Sequence, residues 1–179
     1  MLTPLRRVKQ WQTFTRMWWL YDAKWQDPFD SGLLLARYLS GKRKPLWFPE
    51  LDCGDHVVVI NVSKIALPNE EWKWRKFLHH TGYAGGTNWK SAWELHQNDP
   101  TFILERAIYK NCSKGWKRKD EFARCMLFRG ENVPDDVKAN ISGYIRQIRR
   151  VPKRLEEFSQ EQLDAFPKIF EHGPQHKLD

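Results

Sequence analysis

Hydrophobic positions along this chain come in short stretches of differing rhythm, and each rhythm predicts an element. Trp18 to Tyr21 is an unbroken apolar run closed by Asp22, the pattern of a short buried strand. A polar, proline-containing loop over 24–30 follows. Ser31 then stands ahead of Leu34, Leu35, Tyr38 and Leu39, spaced for one helix face, and Gly41 suits a left-handed stop. This predicts a helix capped by Ser31 and ended at Gly41, handing over to Lys42, Arg43 and Lys44. Asp55 to Val62 contains Val57-Val58-Val59-Ile60, whose β-branched residues favour a strand and whose lack of alternation implies cover on both faces. It is the candidate central strand. Trp72 to Leu78, apolar at 72, 74, 77 and 78, reads as a further strand without a clean period.

Helical rhythm dominates the rest. Ser91 and Glu94 have capping-box spacing, and Asp99-Pro100 puts a capping acid before a proline suited to the first helical position. The second of these helices carries Ile103, Leu104, Ala107 and Ile108 as a stripe and ends near Lys110 and Asn111. A helix around Asp120 to Arg124 leads into the apolar Cys125 to Phe128, ended by Gly130. Beyond it, Val137, Ile141, Tyr144, Ile145 and Ile148 repeat at helical spacing from Asp135 to Arg149. Ser159 and Gln162 form a second capping box ahead of Leu163 and Phe166. Three parts are expected: a basic arm over 1–17, a folded domain over 18–130 and a helical C-terminal extension over 131–179. The stripe of the extension suits docking on the protein's own core or on a neighbouring protein more than on RNA, which favours a protein partner.

Charge narrows the partners. Lysine and arginine number 30 against 22 acids in 179 residues, a formal charge of +8 that favours a polyanion, whether nucleic acid or an anionic membrane. Apolar runs such as Leu33 to Ala36 fall far short of the roughly 18 residues a membrane-spanning helix needs, so no membrane insertion is expected. Cys53, Cys112 and Cys125 are odd in number, widely spaced and without a CxxC pair, which argues against a disulfide framework and a zinc ribbon. A reducing compartment fits them. Ten tryptophans can fill a core, line an interface or stack on bases, and ordinary burial preferences favour the first two. Arg6, Arg7, Lys9 and Arg16 precede the first acid, Asp22, as in a mitochondrial targeting segment; a basic arm lying on RNA explains the same composition.

The candidate chemistry centres on His79-His80-Thr81-Gly82-Tyr83-Ala84-Gly85-Gly86, where three glycines in five residues let backbone amides approach an anion. The histidines and Thr81 add donors for phosphate oxygens or a base edge. A plain turn explains the glycines equally well. No Lys-Ser or Lys-Thr pair follows them, so the segment is not a P-loop. Adjacent histidines diverge on a strand and no second ligand pair stands at metal spacing, so neither metal nor cofactor is expected. Asp52-Cys53-Gly54-Asp55 reads as a turn into the central strand, since flanking carboxylates would raise a thiol pKa where catalysis needs it lowered. Basic groups recur at Lys42, Arg43 and Lys44, at Lys110 and Lys114, and at Lys117, Arg118 and Lys119. Singly each is a solvated surface; with the glycine loop they could clamp a folded RNA through phosphates. An α/β enzyme acting on a phosphorylated small molecule and a tryptophan-rich protein-interaction module are the competing readings.

The motif order itself resembles one family. Trp19 and Asp22, Leu35-Ala36-Arg37, Gly41-Lys42 with Lys44, Asp52-x-Gly54-Asp55, Asn61, and His79-His80-Thr81-Gly82 with Gly85-Gly86 are similar to the large-subunit ribosomal protein family L-thirteen over roughly residues 18–130. The resemblance implies a three-layer α/β/α fold with a small, largely parallel sheet, no catalytic site, and binding of large-subunit ribosomal RNA. Carried over by position, it implies RNA contacts at Lys42, Lys44, His79, His80, Thr81, Gly82, Gly85, Gly86 and Lys110. Arg43, Lys114, Lys117, Arg118 and Lys119 are added from charge. Asp30 stands where the family carries an arginine, and Asn111-Cys112-Ser113-Lys114 replaces its glycine-methionine-leucine-proline. The tail Val151 to Leu155, with Asp164 to Pro167, looks like that of animal mitochondrial members. This implies a mitochondrial ribosome, with neighbouring large-subunit proteins met through the extension.

Overall fold

The computed structural model describes residues 15–167, so Arg6, Arg7 and Lys9 of the expected basic arm lie outside the described residues. Four strands form one sheet in the order β5-β2-β1-β6, with every pairing parallel. They are β1 (Trp18–Asp22), β2 (His56–Ile60), β5 (Cys125–Leu127) and β6 (Gly143–Tyr144). β1 and β2 run in register from Trp18 opposite His56 to Asp22 opposite Ile60. Val57, Val58 and Val59 are completely buried, as a run without alternation requires when both faces of a parallel strand are covered.

The Val57 and Val59 face is covered by α1 (Pro28–Leu39) and α4 (Phe102–Asn111), whose stripes of Leu35 and Leu39, and of Ile103, Leu104 and Ile108, are fully buried in one cluster with Tyr21. Each such aliphatic side chain contributes about 1.5–3 kcal/mol by leaving water. A Cβ on Gly32 would come within 2.8 Å of the Ala107 carbonyl carbon, so glycine there lets the two helices close together. Between β2 and α4 lie a 3₁₀ turn (Val62–Lys64), α2 (Glu71–Trp74), a separate antiparallel pair β3 (Lys76–His80) and β4 (Thr87–Ser91), and α3 (Ala92–Asn98). α5 (Lys117–Ala123) precedes β5, and α6 (Asp135–Asn140) precedes β6. The architecture is the expected α/β fold with a parallel sheet.

Several boundaries differ from the sequence expectation for physical reasons. α1 begins a turn before Ser31: Asp27 accepts from the Phe29 amide at 2.8 Å and Pro28 takes the first turn, a stronger start. Ser31 is instead inside the helix, with its hydroxyl 2.8 Å from that of Tyr21. The Ser91 capping box forms in both directions. Asp99 accepts from the amide and hydroxyl of Thr101, and α4 opens at Phe102.

The single helix expected from Asp135 to Arg149 is replaced by the six-residue α6 and the strand β6. A Cβ on Gly143 would lie 2.7 Å from the Trp19 ring, so the glycine lets β6 pass close beside β1. Val133 and Ile145 are buried, and the Gln26 side chain both donates to the Arg149 carbonyl (2.8 Å) and accepts from its amide (2.9 Å). The first compact unit accordingly runs to Arg149. In the second, from Arg150, a 3₁₀ turn (Leu155–Glu157) and α7 (Gln160–Asp164) bring Phe158 and Phe166 edge to face at 5.7 Å. Ser159 stands at the N-cap of α7 without a side-chain capping bond.

Candidate nucleic-acid interface

The glycine segment is the tip of the β3–β4 hairpin. The strand expected over Trp72 to Leu78 is displaced: Glu71–Trp74 is a helical turn, and pairing starts at Lys76 opposite Ser91 and ends at His80 opposite Thr87. Gly82 and Gly85 adopt φ of 90° and 75°, conformations other residues reach only with strain, and a Cβ on either would meet nothing within 4 Å. The tip therefore stands clear of the rest of the protein. Three of its amides close the turn: Thr81 N–H donates to the Gly86 carbonyl, Gly86 N–H to the Tyr83 carbonyl and Gly82 N–H to His80 Nδ1. Those of Tyr83, Ala84 and Gly85 have no acceptor among the described residues. The tip also offers side chains outward: His79, His80 through Nε2, Thr81 and Tyr83, which is 81% exposed. Directly opposed residues share a face, which places Leu78, His80, Thr87 and Trp89 on one side and Phe77, His79, Asn88 and Lys90 on the other.

The basic run after α1 divides. Lys42 and Arg43 are exposed, with Lys42 5.9 Å above the Trp47 ring and Arg43 4.6 Å above Tyr38. Lys44 turns inward, where its ammonium pairs with Asp55 and donates to the Thr15 carbonyl. Its charge is consumed inside the protein, which corrects the expectation of an outward contact there.

The aspartate-glycine-aspartate turn is the anchor of this loop. Asp52 takes both terminal nitrogens of Arg124 at 2.8 Å and that of Arg16 at 3.0 Å. Asp55 accepts from Met17 N–H and Trp19 Nε1 as well as Lys44. A Cβ on Gly54 would lie 1.8 Å from the Leu39 carbonyl oxygen, so only glycine fits. Burial pushes the Asp52 carboxyl up, but the Arg124 hydrogen bonds and the charges of Arg124 and Arg16 outweigh it and hold the group below the usual carboxylate range.

Around α4 and α5 the cations form two neighbouring groups. Lys114 and Lys117 line a cleft of about 280 Å³ with Lys42 and Trp47, and Lys117 also donates to the Pro49 carbonyl. Lys110 and Arg118 instead line a second groove with Arg75 and Arg106, two residues the sequence reading missed. Arg75 became visible only once the chain placed it across from α4; Arg106 could have been found as the residue one helical turn before Lys110. Lys119 is exposed and lines neither.

Burial pushes the Cys112 thiol up to about 12 and the Cys125 thiol higher still. Among the described residues no helix is long and apolar enough to cross a membrane. Fold and surface define a basic α/β protein that displays aromatic and cationic side chains on a projecting hairpin and the loops around two helices. The family model for Ribosomal protein L13 matches residues 16–134, and the chain belongs to that family. It is 43% identical over 167 residues to the large ribosomal subunit protein uL13m of Drosophila melanogaster, covering 93% of this chain and 94% of the fly protein. It is 32% identical to uL13 of Coprothermobacter proteolyticus and 33% identical to uL13 of Geobacillus kaustophilus. Each of these matches spans 119 residues, 66% of this chain and 83% or 82% of the relative. The likeness to the fly mitochondrial protein thus extends well beyond the part shared with these bacterial relatives.

Proposed function

We propose that this protein is the L13 component of the mitochondrial large ribosomal subunit, where it binds and organises large-subunit ribosomal RNA for mitochondrial translation and performs no chemistry of its own. The observation that carries the reading is the match to a mitochondrial large-subunit protein along nearly the whole length of both chains. The RNA is held by side chains of the hairpin tip, His79, His80 and Thr81, shaped by Gly82, Gly85 and Gly86; by Lys42 and Arg43; and by Lys110, Lys114, Lys117, Arg118 and Lys119. The exposure of His79, His80, Thr81, Lys42, Arg43, Lys110, Lys114 and Lys119 supports this, as does the hairpin itself, since a two-stranded pair with one face open to water gains little stability alone. No Lys-Ser or Lys-Thr pair follows the glycines, which speaks against a nucleotide-hydrolase form of the enzyme reading. Residues beyond 134, outside the family match, serve as the contact to neighbouring ribosomal proteins, a reading supported by exposed Tyr144 and Ile148 in the first unit and Leu155 and Phe166 in the second.

Sedimentation of a mitochondrial lysate on a sucrose gradient, with and without ribonuclease, tests the proposal. Co-migration with the large subunit that is lost on digestion is the expected result. A light peak insensitive to ribonuclease would remove the ribosomal role.

A further inference from the structure

The second groove is the part of the surface whose composition is least explained by a folded monomer. It is an open channel of about 420 Å³, with Phe29, Phe77 and Tyr109 along it and Arg75, Arg106, Lys110 and Arg118 around it, and no carboxylate lines it. Two of its guanidinium groups lie over aromatic rings of the channel itself, Arg75 at 4.1 Å from Phe29 and Arg118 at 5.0 Å from Tyr109. Arg106 lies 5.6 Å from Phe102, whose ring meets Phe77 edge to face. A guanidinium laid on a ring sheds water from one face and is held flat, while its N–H edge stays free to donate.

The four cations are not equivalent. Arg75 is spent on Glu71, to which both its Nε (2.7 Å) and a terminal nitrogen (2.6 Å) donate, so it forms a wall. Arg118 uses only Nε, on the Ser113 carbonyl, and keeps its two terminal nitrogens. Arg106 and Lys110 sit one turn apart on α4, about 6 Å along the axis, a spacing at which like charges repel. Among the described residues neither has a carboxylate within ion-pair distance, nor does Arg118, whereas Lys64, Arg129 and Lys138 are each paired with an acid. Three cations converge on one apolar-floored channel with their counter-charge missing. A ligand carrying regularly spaced negative charges, each able to take several donors, fits that arrangement.

We infer that this groove is a phosphate track for one strand of RNA, with Arg106, Lys110 and Arg118 each taking a backbone phosphate and the aromatic floor facing the sugars. The inference rests on the ribosomal RNA-binding reading and adds to it a defined path and a contact at Arg106 that lies outside the motif-derived set. Contacts of this kind fix position along the strand and are indifferent to base sequence.

Binding of the full-length protein to a fluorescein-labelled transcript of mitochondrial large-subunit ribosomal RNA, followed by anisotropy across a salt series, tests it. The groove variant combines Arg106→Gln, Lys110→Gln and Arg118→Gln. The control of equal charge combines Lys64→Gln, Arg129→Gln and Lys138→Gln, all cations already paired with acids. Each phosphate contact contributes about 0.7–0.9 to the slope of log affinity against log salt, so the groove variant should lose roughly two units of slope and the control almost none. In affinity, the groove variant should weaken by roughly tenfold or more, as expected when charge-assisted hydrogen bonds are lost. Should the triple variant melt early, Arg106→Gln alone, an exposed change, should still lose about 0.7–0.9 of slope. A groove variant no weaker and no flatter than the control would overturn the track while leaving RNA binding intact. A wild-type protein that binds the transcript without salt dependence would overturn both. Displacement of the transcript by polyglutamate at equal charge would mean that the groove takes an acidic peptide, and would also overturn the inference.

Discussion

The chain contains two pairs of five-residue strands with opposite fates. β1 and β2 are parallel and enclosed, with Val57, Val58 and Val59 at 0% exposure. β3 and β4 are antiparallel and largely open, with Leu78 at 48% and Trp89 at 55% on one face while Phe77 on the other packs on Phe102 of α4. The first pair is covered by α1, which joins its strands, and by α4 from farther along the chain. The Leu78 and Trp89 face of the second has no such cover among the described residues, although water does not favour its aliphatic and aromatic side chains. The difference separates what serves folding from what serves assembly. A core pair is worth its free energy to the monomer, and under the proposed function the exposed face of the hairpin is worth its free energy to the complex.

That contrast can be broken first at the buried end. Asp55→Ala strands the Lys44 ammonium in a site it shares only with the Thr15 carbonyl, and should cost about 3–5 kcal/mol by the logic of a buried ion pair with one partner removed. Thermal or urea unfolding measures it, and a variant of near wild-type stability would mean that Lys44 escapes to solvent. Gly54→Ala should follow with a loss of about 1–3 kcal/mol from overpacking against the Leu39 carbonyl and Arg124, also read by denaturant unfolding. At the hairpin the order of effects inverts. Trp89→Ala should leave stability within about 0.5 kcal/mol, as at an ordinary surface site, yet weaken RNA binding by about 1–3 kcal/mol if a base stacks on the indole. A Trp89→Ala protein that melted early while binding normally would show that the hairpin belongs to the core after all.

The smallest effect concerns pH. Burial, followed by the positive charges of Arg124 and Arg16, holds the His56 imidazole below its usual value, and the ring stacks on Trp18 at 4.3 Å. The unfolded chain therefore takes up the proton before the folded one. Stability from this group is complete above about pH 6.5 and is lost as pH falls through the lowered folded value. His56→Gln should make the decline in melting temperature from pH 7 to pH 5 shallower. An unchanged slope would assign that decline to other groups.

Much of the fold was legible because the relevant interactions are local. The capping box at Ser91 and Glu94, the left-handed Gly41 after α1 and the unbroken valine run of β2 each depend on residues within a few positions. The start of α1 was misplaced because two local signals competed and Asp27-Pro28 outweighed Ser31. The hairpin strands were misplaced for a different reason. Periodicity reports a buried face, and strands in which only Phe77 and Ser91 are even half-buried have little to report. The tail from Asp135 to Arg149 was read as helix from a spacing that β6 and the Gln26 clamp overrode.

At the candidate interface, charge identified the basic stretches but not their orientation. Lys42 and Lys44 are two residues apart and indistinguishable by composition; one lies in solvent and the other is bound to Asp55. Arg106 and Arg75 were invisible as a pair because they come from different elements.

The sequence alone narrowed the partner to a polyanion, through its net charge, and was sufficient for the family, through motifs whose order survives in one dimension. It was also sufficient for the elements whose caps and runs are local. Tertiary structure decided which cations are spent inside and which are left without an acid, that the glycine loop is an exposed hairpin tip, and that α4 and α5 share a basic groove. The physical reason is that a charge counts by its surroundings. Burial, counter-ions and aromatic neighbours are brought to it by residues distant in the chain, and only the folded packing fixes them.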